Sequence, residues 1–462
     1  MKNTLLYLWF FAVIAFITLG FSVECYAGKS ETVLDVKDFG AKGDGVTNDQ
    51  IAIQKAVDAC NGKPCTVYLA NGKFLSGQIR LTNNITLHID STAVLLGIQS
   101  DSEDAYPHGL INTQYPNRMK DDCQRRLIYG DRVKNVKITG GGTIDGQGDF
   151  EPWMNVKELG TEKDRPSILA FVSSQNITVS DITLIEPACW TQVYIDCDSV
   201  TIRNVKVNTG HLTPNRDGID IVDCHRVLIE DCDIKSEDDG ICFKSGSERG
   251  CRDVIVRRCV LDKLNVRAGN CFKFGTDGLG SFMNFEISEL VLKNAFQNSC
   301  IAIESMDGAI IDNINIRNCE LSNSGQAFFI ILADRGRTVP GRKKRIGSIS
   351  NIHIENIRGS GFTQSYPSII TGIAGHNIQN VTFKNIQLEL KGGIDSNDQT
   401  VMEYDGNYPE GSKFGDTNAY GFYVRHVDNI SFENCEISTK DDDKREWLVE
   451  EDVKNVIIKK VE

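Results

Sequence analysis

The chain has 462 residues, of which 40% are hydrophobic and 24% are charged, a balance typical of a soluble globular protein. Its formal net charge of −13 argues against nucleic acid as the principal partner, because proteins that bind nucleic acid present a basic surface. The length allows either one large domain or several small ones.

The first 27 residues predict a secretory signal peptide. Lys2 gives a short positive start, the run from Leu5 to Val23 is almost wholly apolar, and Ala27 ends a cleavage site of small residues. An uncleaved membrane anchor is the competing interpretation, because the apolar run is long enough to span a bilayer. We therefore expect residues 28–462 to act as a secreted protein, extracellular or periplasmic, with no other membrane segment.

The segment TNDQIAIQKAVDAC, residues 47–60, predicts a helix that covers one end of the fold. Thr47 or Asn48 can serve as its N-cap, because both side chains can accept a hydrogen bond from the first turn. Its mainly apolar side is formed by Ile51, Ile53, Ala56 and Val57.

A short motif recurs along the rest of the chain and consists of a polar start, alternating Val or Ile, and a polar turn. From Ser199 to Arg226 to Asp253 the step is 27 residues each time. A period in the twenties without intervening helices predicts a right-handed parallel β-helix forming a single domain. A β-propeller would need repeats of roughly 40 residues or more. The nine motif starts are Asn135, Asn176, Ser199, Arg226, Asp253, Asn313, Asn351, Asn380 and Asn429.

Cysteines recur at one position of the motif. Cys25 lies in the predicted signal peptide, which leaves 14 of the 15 cysteines. We expect most of these to be buried as small hydrophobic residues, with a few disulfides among the rest and no zinc site. The four at the repeated position are Cys232, Cys259, Cys319 and Cys435.

Two segments have a similar form, in which acids stand directly before a glycine and a strand with alternating apolar residues. They are PNRDGID and SEDDGICFKSG. Asp217 lies in the first, and Asp238 and Asp239 lie in the second, so that Asp239 follows Asp217 by 22 residues. Stacked coils would bring the three aspartates together on adjacent rungs. Such a cluster is explained by solvated turn acids, by a calcium site, or by acid–base catalysis, in which crowded carboxyl groups separate one another's pKa values.

These two segments, together with GTIDG at 142–146 and DFGAKGDGVTNDQIAIQKAVDAC near the start, resemble glycoside hydrolase family 28, the polygalacturonase family. The resemblance covers nearly all of the chain from residue 33 onward. It implies a glycosidase that hydrolyses galacturonosyl linkages in pectic polysaccharides by inversion, without a cofactor or a metal. It also implies that Asp238 is the general acid, and that Asp217 and Asp239 hold and activate water. A gap of roughly 6.5–9.5 Å between acid and base is then expected.

The sequence departs from many family members where substrate would bind. Asn270, in AGNCFKFGT, stands where the histidine of a Gly-His-Gly motif is common. In IAIES, Ala302 and Glu304 replace the two cations of an Arg-Ile-Lys motif that grips a galacturonate carboxylate. These changes predict poor random cutting of homogalacturonan, and a preference for a chain end or for a linkage beside a neutral sugar such as rhamnose. A resemblance to the bacterial, exo-acting branch of the family favours the same interpretation.

Three further side chains near the acids are candidates for substrate binding. Lys244 and Lys273 occupy similar settings on successive strands, although a strand lysine usually points to solvent. Trp190 precedes the strand on the rung before Asp217, where it either stacks on a sugar or packs in the core.

A long polar segment, residues 396–422, predicts a loop laid against the coils that could close one end of the cleft. Arg425 and His426 follow it, and Arg335 lies in ILADRGR. These three side chains either clamp a sugar acid or hold the loop, and we interpret Arg335 as a clamp.

Two other functions share the predicted scaffold. A calcium-dependent pectic polysaccharide lyase would use a metal and a basic side chain, and a non-catalytic adhesin or carbohydrate-binding protein would need no cluster of carboxylates. The glycosidase is favoured because the paired acid motifs are more specific than the fold. We expect it to act as a monomer on pectic polysaccharide or oligosaccharide.

Overall fold

The recurring motif marks a corner of the fold. At all nine motif starts the first residue has a positive φ, between 55° and 64°. Six of the nine are asparagine, which adopts this left-handed conformation more readily than most residues with a side chain. The stacked amides also bond to one another, as Asn176 does to Asn135 at 2.7 Å. Each motif therefore turns the chain between two strands, and successive copies align along one edge of the molecule.

The structure is a computed structural model. Residues 1–27, the predicted signal peptide, lie outside the part it describes, and so do residues 396–399 and 405 of the long loop. From Thr32 onward the chain forms one compact unit. No helix among the described residues has the length and apolar composition needed to cross a membrane. The described residues are 32–109, 111, 113–121, 124–154, 164–210, 213–264, 269–338, 341–395, 400–404 and 406–460.

Short strands dominate the described residues. The first fourteen are β1 Thr32–Asp35, β2 Asp44–Asn48, β3 Cys65–Leu69, β4 Gly72–Ser76, β5 Ile79–Arg80, β6 Ile85–Ile89, β7 Ala93–Gly97, β8 Arg126–Asp131, β9 Lys134–Thr139, β10 Thr143–Asp145, β11 Ser167–Val172, β12 Gln175–Ile185, β13 Gln192–Ile195 and β14 Asp198–Asn208.

The remaining strands continue the same coil. They are β15 Ile219–Val222, β16 His225–Glu230, β17 Asp233–Ser236, β18 Ile241–Ser245, β19 Cys251–Arg257, β20 Val260–Lys263, β21 Phe272–Gly278, β22 Ser281–Ser288, β23 Val291–Lys293, β24 Ser299–Ser305, β25 Ile310–Ser322, β26 Gln326–Leu332, β27 Ser348–Ser360, β28 Ser368–Thr371, β29 Ile378–Gly392, β30 Ala419–Glu433, β31 Glu436–Asp441 and β32 Glu446–Lys459.

Every pairing between these strands is parallel, and the strands stack in three sheets along one axis. Sheet A contains β5, β8, β11, β13, β15, β18, β21, β24, β26, β28 and the first parts of β30 and β32. Sheet B runs from β1 through β3, β6, β9, β12, β14, β16, β19, β22, β25, β27 and β29 to the second parts of β30 and β32. Sheet C runs from β2 to β31. This is the predicted parallel β-helix, with its apolar residues between the sheets.

The predicted helix is present and shorter than expected. Helix α1, Gln50–Ala59, buries Ile53, Ala56 and Val57 against the core. Ile51 is 70% exposed, because two residues apart on a helix lie roughly 200° apart around its axis and Ile51 cannot share a face with Ile53. The N-cap residue is Asp49 rather than Thr47 or Asn48. The other helical segments are α2 Glu151–Met154 and 3₁₀ turns at Val36–Phe39, Arg118–Asp121 and Gly411–Phe414.

Most of the described cysteines pack as small hydrophobic residues, as predicted. Cys232, Cys259 and Cys319 are buried free thiols, and Cys435 is half-buried near the last coil. In the part of the chain that the structure describes, Cys60–Cys65 is the one disulfide.

Candidate active site

Sheet A places the three predicted aspartates at one edge. Asp217 lies two residues before β15, Asp239 lies two residues before β18, and these strands pair in register. The Gly218 N–H donates to the Asp239 carbonyl at 2.9 Å, so the two acidic turns stack directly. A Cβ atom at Gly218 would lie 2.5 Å from the Gly240 carbonyl oxygen, which explains why a glycine follows the acid.

The clustering prediction is confirmed. Asp217, Asp238 and Asp239 each offer a carboxylate oxygen within 4.8 Å of the others. We expected roughly 6.5–9.5 Å between acid and base, the spacing usual for inverting glycosidases. The limit of 4.8 Å joins the nearest oxygens of the carboxylates, so the wider gap between the acid and the base stays a prediction.

The three carboxyl groups differ in exposure. Asp238 is half-buried, whereas Asp217 and Asp239 are only 3% and 4% exposed. The Oδ1 atom of Asp217 is buried and has no hydrogen-bond partner among the described residues. A buried acceptor without a partner is costly in a folded protein, so this oxygen is suited to a water molecule or a substrate hydroxyl.

Lys244 and Lys273 point into the site rather than to solvent. The Lys244 ammonium lies 3.1 Å from Asp217 and also contacts Asp220. The Lys273 ammonium lies 3.1 Å from Asp239, and both lysine side chains are at least nine-tenths buried. Each lysine therefore compensates a buried carboxylate on the preceding rung.

These contacts separate the pKa values of the neighbouring acids. Burial, and then the charge of Asp239, raise the pKa of the Asp238 carboxyl. Burial also disfavours ionisation of Asp239, but Lys273 and Lys244 outweigh it and lower the pKa of Asp239 to about 2. Asp238 is thus suited to donate a proton while Asp239 stays charged.

The pKa of Asp217 does not match that of Asp239, with which it is predicted to share a role. Burial and the charge of Asp220 raise the pKa of the Asp217 carboxyl well above its ordinary value, although Lys244 opposes the shift. The same burial raises the pKa of Asp220 to about 6. Asp217 therefore differs from Asp239, with which the resemblance groups it as one of two equivalent water-binding carboxylates.

A cavity of about 280 Å³ opens beside Asp238. The backbone N–H of Asn270 donates to the Asp239 carboxylate at 2.7 Å, so Asn270 lies beside the acids. Lys273 is the one cation among the described lining residues and is already bonded to Tyr408 at 2.7 Å. The lining residues are Asn215, Asp238, Gly269, Asn270, Lys273, Asn298, Ser299, Glu304, Phe329, Tyr408, Pro409, Glu410 and Gly411.

Glu304 lies in this cavity as a buried carboxyl group. It is 1% exposed and accepts a hydrogen bond from the Thr276 hydroxyl at 2.9 Å. Burial raises the pKa of Glu304 to about 7, although Lys273 opposes the shift. Glu304 is therefore neutral at acidic pH and charged only above about pH 7.

Trp190 lies at the edge of the site, where it packs against apolar side chains and against Lys244. It packs in a small apolar cluster that includes Met119 and Val193. The Lys244 ammonium lies 4.4 Å from the centre of its ring, so this ring face is occupied by the lysine. Trp190 thus supports Lys244, and a role as a sugar platform is not needed to explain its position.

The remaining predicted cations hold loops. Arg335 donates to Asp307 at 2.8 and 2.7 Å and to Asp277 at 2.6 Å, so its guanidinium is engaged by two carboxylates rather than open as a clamp. Arg425 donates to the carbonyls of residues 401 and 402 at 2.8 and 2.9 Å. His426 contacts residue 403 at 3.0 Å. The contacts of Arg425 and His426 favour the alternative in which these side chains fix the start of the long loop. Arg335 instead joins Asp277 and Asp307, and none of the three side chains lines the described cavity.

Sequence reasoning missed Asp220, Lys263 and Tyr408 as parts of the site. Asp220 carried a signal, since an acid between isoleucines in the strand IDIV is unusual for a buried sheet. Lys263 ends a strand of sheet C and pairs with Ser236, so its charge acts on Asp238 from the next rung. Tyr408 comes from the long loop, and neither periodicity nor spacing gives the position of a loop.

The aspartate cluster has the oxygen ligands that a calcium ion prefers. Two of the three carboxylates, however, already have an ammonium group at 3.1 Å. The lysines supply the positive charge that a calcium ion would otherwise provide. This arrangement therefore does not favour a calcium-dependent polysaccharide lyase.

A sequence comparison decides the family. The model of the family described as glycosyl hydrolases family 28 matches residues 60–405. The chain belongs to glycosyl hydrolase family 28. Among curated relatives, a "probable polygalacturonase" of Vitis vinifera is 28% identical over 326 residues, which are 67% of this chain and 64% of that protein. An "exo-poly-alpha-D-galacturonosidase" of Dickeya chrysanthemi is 23% identical over 412 residues, 78% and 67% of the two chains. The chain thus spans less than two thirds of the Vitis relative.

Solved structures share the fold of this family 28 chain. An exopolygalacturonase of Thermotoga maritima matches with a TM-score of 0.63 at 20% identity, covering 93% of this chain and 92% of that one. A family 28 exopolygalacturonase of Yersinia enterocolitica matches with a TM-score of 0.66 at 17% identity, covering 92% and 78%. The fold is the right-handed parallel β-helix, as predicted.

Proposed function

We propose that this family 28 protein is a secreted glycoside hydrolase that cleaves galacturonosyl linkages in pectic polysaccharides. The observation that carries the proposal is the pairing of a half-buried Asp238, whose pKa is raised, with Asp239, whose pKa is lowered to about 2. One carboxylate oxygen of Asp238 lies within 4.8 Å of one of Asp239, beside a cavity. A proton donor next to a fixed anion is the pair that glycoside hydrolysis requires. Relatives named polygalacturonase support the substrate class.

In the proposed reaction, Asp238 gives its proton to the oxygen of the glycosidic bond as that bond breaks. Asp239 takes a proton from a water molecule, which attacks the anomeric carbon from the opposite face and inverts its configuration. Asp217 holds this water through its unpaired buried oxygen. Lys273 keeps Asp239 charged, and its ion pair makes Asp239 a poor nucleophile, which supports inversion through water rather than a covalent intermediate.

The shape of the cavity supports action at a chain end or beside a branch point. Its volume of about 280 Å³ is at the lower limit of the roughly 300–1,000 Å³ usual for ligand pockets, so it suits a single sugar unit. Tyr408, Pro409, Glu410 and Gly411 of the long loop form one wall. We propose that this wall ends the cleft and favours the release of short products.

We further propose that the unit in this cavity is a neutral sugar such as rhamnose. Repulsion by Glu304 does not carry this preference, because with a pKa of about 7 this side chain repels a carboxylate only at neutral pH and above. The preference instead follows from the lack of an open cation. Lys273 is bound to Asp239 and Tyr408, so the described lining offers no unpaired ammonium or guanidinium to a second galacturonate.

Side-by-side digestion of homogalacturonan and of rhamnogalacturonan oligosaccharides at pH 5 tests this proposal. We expect kcat/KM to be at least about tenfold higher on the rhamnogalacturonan oligosaccharides, since a missing charge-assisted hydrogen bond costs roughly 1.5–3 kcal/mol. Glu304→Gln is the matched control and should behave like the wild type at pH 5, where Glu304 is neutral. A rapid loss of viscosity on homogalacturonan, with a ladder of mid-length products, would show an ordinary endo-polygalacturonase. Ultraviolet-absorbing products that disappear with a chelator would show a lyase.

A further inference from the structure

Strand β32 lies at one end of the described stack of strands. Strand β32 pairs with β30 on one side, and no other described strand pairs with its outer edge. Strand β31 likewise pairs only with β29 in the described part of the chain. A long unpaired edge offers backbone donors and acceptors to another chain, and proteins normally shorten or cover such an edge.

Apolar side chains are incompletely covered at this end. At the first coil, helix α1 buries its apolar face completely. At the last coil, Trp447, Leu448, Val453 and Val456 pack against the core and remain partly exposed. A groove of about 1,090 Å³ is lined by Trp447 and Lys459 of β32 and extends over earlier coils to Val291 of β23.

The charges of β32 divide into two halves. Residues 446–452 contain four acids and no base, whereas residues 453–460 contain three lysines and no acid. Asp452 has a φ of 49°, so the strand turns a corner between the halves. The acidic half belongs to sheet A and the basic half to sheet B. The charged residues are Glu446, Glu450, Glu451, Asp452, Lys454, Lys459 and Lys460.

We propose that β32 is a dimer interface that pairs with β32 of a second copy of this chain. A two-fold axis through the corner at Asp452 lays the acidic half of each copy antiparallel to the basic half of the other. The surface is then self-complementary, as an isologous interface requires. Lys454 and Lys459 contact Asp428 and Glu433 within the chain but stay 68% and 62% exposed, so they remain available to a partner. The two paired edges form backbone hydrogen bonds with each other, and the half-buried apolar residues become covered by the partner.

Sedimentation equilibrium of the mature protein tests the interface. We expect the wild type to be a dimer, and this proposal replaces the monomer expected from the sequence. The double variants Glu446→Lys/Glu450→Lys and Lys459→Glu/Lys460→Glu should each raise the dimer dissociation constant by at least about tenfold, because like charges then face each other. Combining all four substitutions should restore the dimer, since the reversed halves are again complementary. Lys137→Glu, a substitution of an exposed lysine on β9, many coils from β32, is the matched control and should leave the dimer intact.

Two outcomes would overturn the proposal. One is a wild type that stays monomeric at high protein concentration. The other is a four-substitution variant that stays monomeric while its circular dichroism and its activity on short oligosaccharides equal those of the wild type. Activity on short substrates should be unchanged in all these variants, because the catalytic aspartates lie several coils away along sheet A.

Discussion

Replacing Asp238 with asparagine is expected to lower kcat by about 10²–10⁴-fold, the usual contribution of a general acid. Asparagine keeps the shape of the side chain and cannot release a proton. Since Asp238 is half-buried at the edge of the strand stack, the circular dichroism spectrum and the melting temperature should stay close to those of the wild type. The measurement is initial rate on a short pectic oligosaccharide.

Asp233→Asn is the matched control for this variant, because Asp233 is an exposed aspartate on the same coil. It should retain full activity. In the wild type, activity should fall as pH rises through the pKa of Asp238, since that pKa is raised above its ordinary value and the acid must be protonated. This fall at high pH should be lost in the residual activity of Asp238→Asn. Turnover of Asp238→Asn at the wild-type rate would remove Asp238 from the mechanism.

Replacing Lys244 with methionine is expected to lower the free energy of unfolding by about 3–5 kcal/mol at neutral pH, the cost of leaving a buried charge without its partner. The substitution leaves Asp217 and Asp220 buried without the ammonium that both contact. Chemical denaturation at several pH values measures the effect.

The pH dependence of this loss has a definite sign. In Lys244→Met, the folded-state pKa values of Asp217 and Asp220 should rise further, because burial then acts without the opposing lysine. The folded protein then binds more protons than the unfolded chain, so stability falls as pH rises. We therefore expect a larger deficit at pH 8 than at pH 4.5. Lys384→Met removes an exposed ion pair with Glu355 and should cost less than about 1 kcal/mol at either pH. An equal deficit at pH 4.5 and pH 8 would contradict the proposed pairing.

The fold and the aspartate cluster were predictable because both depend on short-range pattern. The motif starts that recur at 27-residue steps become corners with positive φ, and the matching turns before β15 and β18 become neighbours. Periodicity gives the register of a coil directly. It also indicates which acids share an edge, as it did for Asp217 and Asp239.

The distances and partners within the site were not predictable in the same way. No sequence pattern specifies the distances between the carboxylate oxygens, the nearest of which lie within 4.8 Å of one another. The environment of Lys244 depends on Trp190 and Asp220, which lie on two earlier rungs. Arg425 serves a loop whose path the sequence pattern does not specify.

Proton NMR of the first products from an α-linked galacturonosyl oligosaccharide tests the central claim most directly. If Asp238 donates the proton while Asp239 activates water, the new reducing-end signal should be that of the β anomer before mutarotation, and each broken bond should consume one water. An α-anomeric signal appearing first would make one of the aspartates a nucleophile. An unsaturated product or an unchanged spectrum would contradict hydrolysis at this site altogether.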